Sequence, residues 1–135
     1  MRSSPKTVLI VDDDKLVLAM FKIAFEGSGY TVVLAENGNM ALSQLENRPI
    51  DLVLLDILMP EKEGLETLLE ARERFPDVPI FAMSGGGRVG KHDFLAVAKK
   101  FGAAGTFKKP IAPTELVKTI DTFLASQPST GRHSL

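Results

Sequence analysis

Leu52-Val53-Leu54-Leu55-Asp56 is an apolar run that stops on a carboxylate, and Val8-Leu9-Ile10-Val11 does the same before Asp12-Asp13-Asp14. Strands that are apolar throughout, rather than at alternate positions, belong to parallel sheets covered by helices on both faces. By the same pattern of short apolar, β-branched runs, Thr7–Val11, Thr31–Ala35, Leu52–Asp56, Pro79–Ser84 and Gly105–Lys108 read as strands. Between them Lys15–Gly27, Asn39–Arg48, Glu63–Phe75 and Lys91–Phe101 carry helical periodicity, and Pro113–Ser126 adds a fifth helix with Ala112-Pro113 at its start. Strand and helix alternate along the whole chain, which predicts an α/β fold: an open (βα)5 three-layer sandwich around a parallel five-stranded sheet.

The remaining bulk properties fit one such unit. A length of 135 residues is close to the commonest domain size and suffices for a core without disulfides or a structural metal. The expected organisation is one domain over residues 1–126 followed by a disordered tail over 127–135, where Pro, Ser, Thr and Gly dominate and little apolar surface is available for burial. Lys and Arg total 16 against 17 for Asp and Glu, so no global positive field draws the chain to nucleic acid or an acidic membrane, and any role at DNA is indirect. The absence of Cys excludes a disulfide framework, a thiolate metal site and a thiol nucleophile. The longest apolar run, Leu16 to Phe21, is far below the roughly 18 residues of a membrane span, and nothing at the start reads as a signal peptide, so a cytoplasmic location is expected.

In an open parallel sheet, ligands bind beyond the carboxyl ends of the strands. Here those ends carry Asp12-Asp13-Asp14, Asp56, Ser84 and Lys108-Lys109-Pro110. Singly each has an ordinary reading: an Asp between strand and helix caps the helix, a Ser before glycines makes a turn, and a Lys before Pro is a solvated charge. Together they place two or more carboxylates, a hydroxyl and an ammonium at one sheet edge, an arrangement that is costly unless a cation sits among the acids. A hard, oxygen-ligated ion such as Mg²⁺ fits, and Mg²⁺ commonly bridges carboxylates to a phosphate oxygen. Asp56 can then act as a nucleophile toward phosphorus, with Asp12 and Asp13 as metal ligands, while Ser84, Lys109 and loop amides stabilise the product. Asp14 reads as a surface or capping residue, because the chain turns into a helix there.

These residues resemble the phosphoacceptor receiver domains of two-component response regulators, of the single-domain type similar to the chemotaxis regulator. The likeness spans residues 5–126 and rests on Asp12-Asp13, on Leu52-Val53-Leu54-Leu55-Asp56-Ile57-Leu58-Met59-Pro60 with Gly64 following, on Ser84, and on Lys109-Pro110. It implies a flavodoxin-like sheet in the order 2-1-3-4-5. It further implies phosphorylation of Asp56 by a histidine kinase or histidine phosphotransfer protein. Mg²⁺ would be held by Asp12 or Asp13, Asp56 and the backbone carbonyl of Leu58. Lys109 would pair with the phosphate, commonly across a cis Lys-Pro bond, and Ser84 would turn in to the phosphoryl group, so the chain is a switch rather than a metabolic enzyme. With no output domain after residue 126, the expected action is docking to a downstream protein or relay of phosphate, unless the chain is a piece of a longer regulator.

Thr106 stands where many receivers carry a Tyr or Phe that rotates as the Ser or Thr moves, and its neighbour Phe107 should face the other side of the strand. Leu58 and Gly86 occupy positions that influence phosphoryl lifetime in the family, and Gly85, Gly86 and Thr106 form the expected switch region. The segment Ser84-Gly85-Gly86-Gly87-Arg88-Val89-Gly90-Lys91-His92 meets G-x-G-x-x-G and nearly meets a P-loop, offering nucleotide binding through Gly85–Lys91 as the alternative function. Against that, His92 replaces the Ser or Thr that would ligate Mg²⁺, the glycines follow rather than precede the supposed partner strand, and the chain is short for such a fold. A mobile activation loop is the better account. Finally, the first helix is apolar over more of its circumference than one buried face requires, and Asp14, Lys15, Leu18 and Lys22 are its candidates for docking a kinase.

Overall fold

The computed structural model describes residues 5–59, 64–85, 88–89 and 92–127. Its elements in chain order are β1 (Thr7–Val11), α1 (Lys15–Gly27), β2 (Thr31–Ala35), α2 (Gly38–Asn47), β3 (Leu52–Asp56), α3 (Gly64–Arg74), β4 (Ile80–Ser84), β5 (Arg88–Val89), β6 (His92–Asp93), α4 (Phe94–Lys100), β7 (Gly105–Lys108) and α5 (Pro113–Ser126). Five strands form the main sheet in the order β2-β1-β3-β4-β7, which is 2-1-3-4-5 when only these five are counted, and all four pairings are parallel.

Alternate side chains of each strand serve opposite cores. Val8, Ile10, Leu52, Leu54, Phe81 and Met83 pack with Leu18, Phe21 and Phe25 of α1 and with Leu116, Val117 and Ile120 of α5. On the other face, Leu9, Val11, Val53, Leu55, Ile80 and Ala82 pack against α2, α3 and α4 through residues such as Leu42, Leu45, Leu68, Ala71 and Ala98. All five residues of β3 and all five of β4 are buried. The unbroken apolar runs of the sequence are therefore those of strands covered on both faces.

Two differences from the sequence reading concern the chain after β4 and the face of α1. The fourth helix begins at Phe94 rather than Lys91, because residues 88–89 and 92–93 pair as a short antiparallel ribbon, Arg88 opposite Asp93 and Val89 opposite His92. Gly86, Gly87, Gly90 and Lys91 of the expected activation loop lie outside the described residues, as do Pro60, His133 and 128–135 of the expected tail. Leu18, expected as an exposed docking residue, is buried at 4% exposure. Positions 18, 21 and 25 form the inward stripe of α1, whereas 16, 20 and 23 recur on the opposite side, where Leu16 is 68%, Met20 43% and Ile23 72% exposed. A helix apolar on nearly every side does not reveal its inward face until it is packed. Among the described residues no helix is long and apolar enough to cross a membrane.

Candidate functional site

The polar residues that end the strands meet at one edge of the sheet, and the ladder carries on past the strands to hold them there. The amide of Asp12 donates to Ala35 O at 3.1 Å, that of Ile57 to Met83 O at 2.9 Å, and that of Lys109 to Ser84 O at 2.8 Å. Each residue beyond a strand end is thereby fixed by the neighbouring strand, so the side chains converge without support from long loops.

Carboxylate oxygens of Asp12, Asp13 and Asp56 lie within 4.8 Å of one another, Asp12 and Asp56 buried and Asp13 exposed. Asp12 accepts the Asp14 amide at 2.9 Å on Oδ1 and the Lys109 ammonium at 2.5 Å on Oδ2. Asp56 accepts the Leu58 amide at 2.9 Å on Oδ1, and its Oδ2 lies 3.4 Å from Lys109 Nζ. Burial pushes the Asp56 carboxyl up to about 6 and the charge of Asp12 adds to this, while the Leu58 amide and the Lys109 charge pull the other way. Burial also works against the Lys109 ammonium, yet the bond to Asp12 and the charges of Asp56 and Asp12 outweigh it, and its pKa lies above the ordinary lysine value. One ammonium thus serves two buried carboxylates, leaving the cluster net negative, open on the side of Asp13, and built of hard oxygen donors.

Ser84 is fully buried, and its Oγ has no hydrogen-bond partner among the described residues. A buried hydroxyl without a partner carries an unrecovered desolvation cost, so the site holds a donor waiting for an acceptor. Beside it, a Cβ at Gly85 would meet Lys109 Cδ at 3.4 Å, ordinary contact. Gly64 is more constrained: a Cβ there would lie 2.1 Å from Ile57 Cα and 2.6 Å from Asp56 O. Only glycine lets α3 start this close to the backbone that follows Asp56, which explains a glycine at that place in the sequence. The Lys109-Pro110 bond is cis.

The other expected site residues take definite places. Leu58 is half-buried beside Asp56, and Asp14 caps α1, its Oδ1 accepting from Leu16 N at 2.9 Å and Val17 N at 3.4 Å. Thr106 sits opposite Ala82 on β7, while Phe107 faces the α1 and α5 core, stacked on Phe81 with ring centroids 5.6 Å apart. Phe81 also meets Phe123 of α5 edge-on at 4.9 Å, and its ring lies so near Gly105 that a Cβ there would fall 2.5 Å from Cε2. This aromatic trio escapes a sequence reading aimed at residue 106; apolar residues of one parity on β4 and β7 were its only signal. Lys15 is exposed, whereas Lys22 is paired with Glu26 at 3.0 Å. Sequence reading also missed the Tyr30 hydroxyl, which donates to Asp121 and so links the start of β2 to α5.

The nucleotide-binding alternative is not supported. A P-loop needs its Lys at the start of a helix that directly follows the loop, but here His92 and Asp93 lie in a strand and α4 begins only at Phe94.

Comparison with known proteins agrees with the geometry. The family model described as the response regulator receiver domain matches residues 8–121. The transcriptional regulatory protein ZraR of Salmonella typhimurium is 35% identical over 124 residues, 92% of this chain and 27% of that protein. The response regulator SaeR of Staphylococcus aureus is 35% identical over 117 residues, 87% of this chain and 50% of that protein. The chain spans half or less of the length of these relatives. A CheY-like response regulator receiver domain protein of Methanospirillum hungatei superposes with a TM-score of 0.81 at 32% identity, covering 90% of this chain and 95% of that one.

Proposed function

The chain belongs to the response regulator receiver domain family, and we propose that Asp56 is its phosphoacceptor, charged by a histidine kinase or a histidine phosphotransfer protein. The observation that carries this reading is the pairing, at one sheet edge, of a carboxylate cluster in which Asp12 and Asp56 are buried and Asp13 exposed with the buried Ser84 hydroxyl, which has no partner among the described residues. The donor set is all oxygen, open and negative, which suits Mg²⁺; Asp12, Asp13, Asp56 and the carbonyl of Leu58 would hold it. When bound, Mg²⁺ neutralises charge on the phosphoryl oxygens and lets an anion approach the acids.

The chain's own residues account for the rest. Asp56 must be ionised to attack, and the Leu58 amide favours that form by holding Oδ1. Oδ2, with only a 3.4 Å contact, keeps an electron pair for phosphorus. As the P–O bond to Asp56 forms, the P–N bond to the donor histidine breaks, its electron pair returning to the imidazole, which takes up a proton. Lys109 then turns from Asp12 to the new phosphoryl oxygens, and the Ser84 hydroxyl gains the acceptor it lacks. Residues 1–126 would act as the switch unit, with Gly85 and Thr106 in the moving region. The output does not run through an aromatic at 106; Phe81, Phe107 and Phe123 instead join β4, β7 and α5. Docking of the phosphodonor falls to Asp14, Lys15 and Lys22, together with Leu16, Met20 and Ile23 in place of the buried Leu18.

Intact-mass measurement after incubation with acetyl phosphate and Mg²⁺ tests the reading. One added phosphoryl group is expected, dependent on Mg²⁺, labile to hydroxylamine and absent in Asp56→Asn. No adduct in the unaltered protein would overturn it.

A further inference from the structure

Three carboxylates follow β1, and only Asp12 and Asp13 join the acidic cluster. The third, Asp14, performs two tasks through different atoms. Its side-chain Oδ1 accepts the amides of Leu16 and Val17, satisfying orphan donors of the first turn of α1. Its own amide donates to Asp12 Oδ1 at 2.9 Å, while its carbonyl accepts from Leu18 N at 3.1 Å.

We propose that Asp14 is the positioning residue of the cation site: by capping α1 it fixes the turn over residues 12–14, so that its amide holds the inward carboxylate of Asp12. This rests on the reading of Asp12 as a metal ligand given above. Of the two donors to Asp12 among the described residues, the Lys109 ammonium ends a long side chain that must leave when phosphate arrives. The Asp14 amide is part of the backbone and can stay through the whole cycle, so it is the donor able to keep Asp12 aimed at the cation. Its direction depends on the φ and ψ of Asp14, −92° and 109°, the extended values of an N-cap. Without the cap, the first turn of α1 frays and that amide loses its fixed direction. Partners that orient a ligand in this way typically affect metal affinity by one to two orders of magnitude.

The test is Mg²⁺ affinity by isothermal titration calorimetry, with amide spectra of the same samples, for the unaltered chain, Asp14→Ala, Asp14→Asn and Asp14→Ser. Asn and Ser cap helices without the charge. Asp14→Ala is expected to bind Mg²⁺ about tenfold more weakly and to lose the downfield amide signal of a hydrogen-bonded residue 14. Asp14→Asn and Asp14→Ser are expected to stay within about threefold of the unaltered chain and to keep that signal. Unchanged affinity in Asp14→Ala overturns the proposal, and so do Asn and Ser variants as weak as Ala, which would assign the effect to charge alone. Failure of the unaltered chain to bind Mg²⁺ is a separate result that removes the cation-site reading and this inference with it.

Discussion

Lys109 Nζ lies 2.5 Å from Asp12 Oδ2 and 3.4 Å from Asp56 Oδ2, so the ammonium favours the proposed metal ligand over the proposed phosphoacceptor. It stands among the acids as a cation of the protein's own, and an incoming ion must contend with it. Replacing it with an uncharged side chain of similar length should remove the competitor. Lys109→Met is expected to bind Mg²⁺ more tightly, by roughly tenfold, the scale of one pKa unit of differential interaction. Calorimetric titration checks this, and weaker binding would show that Lys109 organises the acids rather than competing for them.

The raised pKa of Asp56, about 6, makes stability depend on pH. In the unfolded chain an Asp ionises near 3.9. The folded state therefore retains the proton over the window between those values, and its advantage, complete below about pH 4, is lost as pH rises through about 6. At pH 7.5 the buried carboxylate is a net burden. Asp56→Asn is expected to raise stability there by about 1–2 kcal/mol, with the gain fading as pH falls toward 4. Urea unfolding at a series of pH values measures it, and a gain independent of pH would refute the assignment to ionisation.

Ser84 hides a hydroxyl with nothing to bond among the described residues. Removing an unsatisfied buried polar group is neutral or favourable in the folded state. Ser84→Ala should therefore keep or raise the melting temperature, by up to about 1 kcal/mol in stability. The same variant should lose the amide shifts that a phosphoryl mimic such as beryllofluoride induces along β4 and β7. Marked destabilisation would mean that the hydroxyl already has a partner in solution.

Gly64 packs where no side chain fits, a Cβ falling 2.1 Å from Ile57 Cα. Gly64→Ala must displace the backbone that carries Asp56 and Leu58. The expected cost is about 1–3 kcal/mol of stability, as for overpacked core positions, together with weaker Mg²⁺ binding. Denaturation and titration of the same variant test both effects, and a variant that unfolds normally and binds Mg²⁺ normally would show that α3 can shift as a unit.

The fold and most of the candidate site were legible in the sequence because both depend on local pattern. Apolar runs such as Val8–Val11 and Leu52–Leu55 identify strands buried on both faces, and parallel topology gathers whatever ends those strands, here Asp12, Asp56, Ser84 and Lys109, at one edge. Gly64 and Asp14 already stood at suitable places, the one after the Asp56 segment and the other before a helix. Packing decided the rest. Leu16 and Leu18 are the same residue type on the same helix, and only the seating of α1 against β1, β3 and α5 buries one and exposes the other. The ribbon that delays α4 to Phe94 comes from pairing between Arg88 and Asp93 and between Val89 and His92, which no helical or strand periodicity announces. The choice of Lys109 between Asp12 and Asp56, and the lack of a partner for Ser84 among the described residues, are matters of ångströms among side chains from different strands. Sequence determines which groups a strand delivers; their separations arise from the twist and stacking of the assembled sheet, a property of all the strands together.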